Sequence, residues 1–136
     1  MGDRTNWGFV QEMGAPVINL YGHWAGSDRR ALLANGLLEA KSRWSDPGYA
    51  TRIVMSQIIG DEWNQPNSWG VYVDQLSDNE HPYLMVFWEV GIVVEIPLTW
   101  EDTGKPALEK VWTLAPEATT WTLEEFVESF STQRVG

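Results

Sequence analysis

The chain has 136 residues, a formal net charge of -10, nine tryptophans and no cysteine. That length suits a single domain over residues 1–136, burying roughly 68–70% of the surface its unfolded chain exposes, and the missing cysteine excludes a disulfide framework, a thiolate nucleophile and a Cys-rich zinc site. Apolar runs such as Tyr83 to Trp88 and Val90 to Val94 are broken by Glu89 and Glu95, far short of the ~20 residues of a membrane span. No basic start followed by an apolar stretch marks a signal peptide, so a soluble, cytoplasmic protein without a membrane partner is expected.

Charge is divided unevenly. Residues 1–60 carry six basic and five acidic side chains, whereas residues 61–136 carry three basic and fourteen acidic ones. Such a field repels phosphate backbones, and no direct nucleic-acid partner is expected. The acidic half serves solubility, or it presents a surface to a basic partner, including mimicry of a nucleic acid.

In chain order, Thr5 to Gln11 alternates Trp7 and Phe9 against Asn6, Gly8 and Val10, the period of a strand. Gly14 and Pro16 mark a turn, and Val17 to His23 resumes extended structure, which predicts a β-hairpin. Gly8 and Gly22 predict close approach of a large neighbour, or sheet twist. Ser27 or Asp28 can cap a first helix carrying Leu33, Leu37, Ala40 and Trp44, with Asn35-Gly36 implying close packing or a break. Asp46-Pro47 starts a second helix with Ala50, Ile53, Val54, Ile58 and Ile59 inward, which Gly60 closes. Trp69 to Asp74, Tyr83 to Trp88 and Ile92 to Pro97 predict a three-stranded meander, and Ala107 to Leu114 suits either a short helix or a strand. Thr122 and Glu125 form a capping box, with Trp121 and Phe126 as its hydrophobic staple, and predict a final helix from Leu123 to about Thr132. The expected fold is α+β: a mainly antiparallel sheet, made of the hairpin and the meander, with two central helices and a C-terminal helix packed on one face.

Candidate chemistry gathers around a few residues. His23, His81 and Asp78 are two imidazoles and a carboxylate, which suit a divalent metal and a metal-dependent hydrolase, although their spacing matches no ligand motif and turn capping explains Asp78, Asn79 and His81 as well. Arg29 and Arg52 offer fork donors for phosphate, and Trp24 and Tyr49 could stack a base. With His23, Asn79 and His81 these make the candidate ligand site, that of a sponge for a nucleotide-like molecule acting against host defence. Against this, Arg29 and Arg30 also suit a solvated first turn, and Arg52 a cross-fold ion pair. Trp7, Trp44, Trp69 and Trp88 have core spacing, while Trp24, Trp63, Trp100 and Trp112 fall in loops or at element ends, where they plug the core's rim or form a binding patch. Glu89 and Glu95 are assigned to a solvent-facing strand pair. No phosphate-binding loop, dinucleotide fingerprint, nucleophile elbow or zinc-protease motif is present. No catalytic residue and no cofactor are assigned.

Met1-Gly2-Asp3-Arg4, Leu20-Tyr21-Gly22-His23-Trp24-Ala25-Gly26, Arg43-Trp44-Ser45-Asp46-Pro47-Gly48-Tyr49-Ala50-Thr51-Arg52-Ile53 and Asp78-Asn79-Glu80-His81-Pro82 together resemble a group of small proteins of actinobacteria and their phages. The resemblance covers about the first hundred residues. It implies an accessory, often phage-encoded, cytosolic protein, and it brings no activity or site residue with it. Binding of a host protein or a small host metabolite is the leading expectation, and a homo-oligomer is compatible with it.

Overall fold

The computed structural model describes residues 2–77, 79–97 and 117–133. Its centre is the predicted hairpin, in which β1 (Thr5–Val10) pairs antiparallel with β2 (Ile18–Gly22), Trp7 lying opposite Leu20. The chain then rises into α1 (Arg29–Glu39) and α2 (Pro47–Ile59). Pro47 occupies the first turn of α2, where its missing N–H leaves no acceptor unmatched. The two helices meet tightly at Gly36, where an added Cβ would stand 2.9 Å from Val54, so close packing is the reason for a glycine inside α1.

Among the described residues four further strands join the sheet: β3 (Trp69–Val73), β4 (Tyr83–Phe87), β5 (Ile92–Ile96) and β6 (Thr119–Thr122). Their order is β3-β2-β1-β4-β5-β6. The predicted meander is therefore corrected. β3 pairs antiparallel with β2, and β4 runs parallel to β1 with Trp7 opposite Leu84. The physical reason is burial. All six residues of β1 and all five of β4 are buried, so these two take the centre with a neighbour on each edge, whereas β3, with Val71 to Val73 exposed, takes a place at the margin beside β2. The fold class stands as α+β with a mostly antiparallel sheet, but the sheet is mixed and includes β6, a strand not expected from the sequence.

The C-terminal helix α3 (Leu123–Phe130) starts as expected, with both hydrogen bonds of the Thr122–Glu125 capping box formed and Trp121 edge-on to Phe126 at 5.1 Å. α1 packs against both α2 and α3, so the helices form one layer. Trp7, Phe9, Leu20, Leu84, Val86 and Val93 bury themselves beneath it, together with Leu33, Leu37, Val54 and Phe126 from the helices. Each such side chain contributes roughly 1.5–3 kcal/mol. On the other face Val10, Tyr83, Met85, Phe87, Val94 and Ile96 form a second buried cluster. Gly8 lies on that face, and a Cβ there would collide with the Tyr83 hydroxyl; one on Gly22 would meet the Trp69 ring. Among the described residues no helix is long and apolar enough to cross a membrane.

Candidate functional site

Two regions carry the candidate residues, at different places on the sheet. The first lies where β1 begins and β2 ends. Asp3 precedes β1 and is tied to the residue after β2 by a hydrogen bond from its N–H to the His23 carbonyl, 2.8 Å. Its carboxylate accepts from the Ser27 N–H at 2.8 Å, from the Ser27 hydroxyl at 2.6 Å and from His81 Nε2 at 2.5 Å. These donors, those of Ser27 first, hold the Asp3 carboxyl at about 2, below the usual 3.8. Beside it the buried Asn79 accepts from Asn6 Nδ2 and donates to the His81 carbonyl at 2.6 Å, which fixes the turn before β4. His23 shares a 2.7 Å hydrogen bond with the Tyr21 hydroxyl and meets Trp24 edge-on at 4.5 Å.

Arg29 and Arg30 open α1 directly above β5. Both reach Glu95: Arg29 Nη2 at 3.3 Å, and Arg30 through two donors at 2.8 and 2.5 Å. Glu95 is buried on the helix-covered face, so its assignment to a solvent-facing pair is corrected, as is the solvated reading of the two arginines. A carboxylate under the helix layer requires such partners. Burial lowers the Arg29 pKa despite the pull of Glu95, while the hydrogen bond to Glu95 raises that of the more exposed Arg30.

The second region is the β3 margin. Among the described residues β3 is the outermost strand, and none of them pairs along its outer side. Val71 and Val73 stand opposite Leu20 and Ile18, hence on the face the helices cover, yet they are 59% and 60% exposed because the helix layer stops short of them. Next to them a cleft of about 340 Å³ lies between α2 and β2, lined by Ile18, Arg52, Met55, Ile59 and Trp63 among others. Trp63 is 74% exposed, and Tyr72 is exposed on the opposite face. Trp24, 62% exposed, follows His23, whose N–H donates to the carbonyl of Ser68 at the start of β3.

The structure thus divides the sequence-derived candidates. His23, Trp24, Arg29, Asn79 and His81 lie at the Asp3 end of the hairpin. Arg52 lies at the other end, in the cleft with Gln11 and Ile18, and makes no ion pair among the described residues. Tyr49 is exposed in the first turn of α2 with the Arg43 guanidinium 4.7 Å over its ring. His81 is bound to Asp3, Asp78 lies outside the described residues, and among those described no group of three or more His, Asp or Glu could hold a metal. Trp100, Trp112 and the Ala107 to Leu114 segment also lie outside them.

Asp3, Glu95 and the β3 valines escaped the sequence reading. A signal existed for Glu95, a lone charge between Val94 and Ile96 in a strand with apolar residues on both faces. For β3 the signal was the absence of any charge or proline in Trp69-Gly70-Val71-Tyr72-Val73. No protein-family model, no curated protein and no solved structure matches the chain.

Proposed function

We propose that the chain is a binding protein, an accessory protein of the phage or bacterial kind its sequence resembles, which acts in the cytoplasm by taking an extended segment of a host protein as an added strand along β3. The observation that carries this reading is the β3 edge itself. An edge strand presents a row of N–H and C=O groups to any extended backbone, and proteins ordinarily blunt such edges with lysine, proline or bulges. β3 has no lysine, no proline and no charge, and it exposes Val71, Tyr72 and Val73. Main-chain pairing supplies affinity in this mode, and alternate side chains supply specificity. The segment that fits has apolar residues at alternate positions, to extend the row of Val71 and Val73, and a carboxylate for Arg52 in the adjoining cleft. Exposed Trp24, Trp63 and Tyr72 around the edge are of the residue types that anchor protein interfaces. A phosphate-binding alternative is weaker, because Arg29 and Arg30 are engaged by Glu95 and His81 by Asp3.

Selection of displayed 12-residue peptides on the purified protein tests this. The expected binders alternate apolar residues and contain Asp or Glu, protect the amides of residues 69–73 from hydrogen exchange, and lose about tenfold or more in affinity when Val71→Lys and Val73→Lys charge the edge. Protection elsewhere, or indifference to those substitutions, refutes the proposal. A dimer that the same substitutions dissociate assigns the edge to a second copy of this chain instead.

A further inference from the structure

On the opposite flank of the helix layer a second groove runs between Trp44 and α3. One part, about 450 Å³, is lined by Trp44, Trp88, Leu123 and Glu124, and the adjoining part, about 130 Å³, by Leu38, Lys41, Trp44, Glu124, Val127 and Glu128. We propose that this groove binds the lysine or arginine side chain of a basic segment of a partner protein.

The wall chemistry supports this. Both indole N–H groups are already used, Trp44 donating to the Leu37 carbonyl at 2.9 Å and Trp88 to Thr51 Oγ1 at 2.8 Å. Trp88 is buried at the floor of the groove, and the half-buried Trp44 offers it ring surface rather than a donor, which suits a cation. Glu124 and Glu128 stand one turn apart on the exposed side of α3 and have no ion pair among the described residues. Glu125, between them, is held by the capping box. Like charges at this spacing repel, and a cation between them relieves it. The amino-terminal dipole of α3 opposes a cation by about 0.3–1 kcal/mol, but the opposition is local to the first turn, whereas Glu128 lies beyond it. The chain itself already places an ammonium at the groove: Lys41 Nζ is 5.8 Å from the centre of the Trp44 ring. The fourteen acidic against three basic residues of the 61–136 half supply long-range attraction for a basic segment.

Lys41 makes the inference testable, since it competes for the surface the partner's cation needs. The probe is an octapeptide of alternating lysine and glycine, followed by calorimetry and by amide chemical shifts. Binding is expected to weaken with salt and to shift residues 38–45 and 123–128, and Glu124→Gln with Glu128→Gln is expected to weaken it about tenfold. Lys41→Ala is expected to tighten it roughly threefold, while Arg43→Ala, which removes the same charge from a side chain stacked on Tyr49, leaves it unchanged. All four side chains are exposed, and unchanged spectra of the free variants verify their folding. Equal tightening by Lys41→Ala and Arg43→Ala overturns the groove in favour of diffuse electrostatics. Absence of binding, or shifts confined to residues 69–73, overturns it as well; the first outcome leaves the pairing of β3 with an extended segment untouched, and the second locates the peptide on β3 instead of the groove.

Discussion

The Asp3 end of the hairpin and the β3 margin are opposites. At the first, polar side chains meet one another: Asp3 takes up Ser27 and His81, Asn79 takes up Asn6, and Glu95 takes up Arg29 and Arg30. At the second, Val71, Val73 and Trp63 meet no such cover. Buried polar groups must be satisfied within the fold, whereas an exposed valine imposes no comparable demand. Residues that look chemical in the sequence therefore organise loops at the Asp3 end, and what β3 itself leaves exposed is apolar.

The strongest way to break the interior side of this contrast is Gly8→Ala. The new methyl would drive into the Tyr83 hydroxyl, which is fully buried and donates to Asn19 Oδ1, in a core where burial also raises the Tyr83 pKa. Overpacking at a site with no room to relax predicts a loss of roughly 3 kcal/mol or more, read by urea denaturation. Tyr83→Phe in the same chain should restore part of it; failure to restore any would show that the collision is not the cause. Next comes Glu95→Leu, which leaves Arg29 beneath the helix layer with the Gly26 carbonyl but without its carboxylate, and should destabilise by about 3 kcal/mol. Arg30→Ala should cost markedly less, because Arg29 still neutralises Glu95.

Asp3 gives the contrast a pH dependence. Its folded pKa of about 2 lies below the usual 3.8, so its contribution is complete above pH 4 and is lost as pH falls from about 4 toward 2. Asp3→Asn should lower the urea midpoint at pH 7 and flatten the acid limb in that window. A variant whose midpoint falls as steeply as that of the parent between pH 4 and 2 would place the acid sensitivity in other carboxylates.

Local rules reached about as far as local contacts do. The hairpin, the start of α2 at Pro47, the tight glycines and the Thr122–Glu125 cap were legible because each depends on neighbours close in sequence or on a steric demand a glycine announces. Strand order was not legible, since the parallel pairing of Trp7 with Leu84 joins residues far apart and alternation in β3 looks the same beside β2 as beside β4. The partners of Asp3 and Glu95 were hidden for the same reason: His81 and Arg30 are distant in the chain, and an arginine that opens a helix reads as solvated until a carboxylate is found beneath it. β6 was masked by its brevity, its four residues running straight into the cap of α3.

The smallest expected effect is the most informative about the margin. Leu20 and Val71 are cross-strand neighbours on one face of the sheet, the former fully buried and the latter largely exposed. Leu20→Ala should cost about 2–5 kcal/mol because it opens a cavity beneath the helices. Val71→Ala, and likewise Trp63→Ala, should stay within about 0.5 kcal/mol of the parent, as substitutions do away from packed positions. Denaturation of the three variants at one protein concentration and again at a hundredfold higher one separates two explanations for an exposed apolar edge. If Val71→Ala is neutral at both, the edge contributes nothing to the isolated fold and its apolar character is there for another molecule. If it becomes costly only at the higher concentration, that molecule is a second copy of the same chain, because a contact between copies stabilises by mass action and an intramolecular one does not.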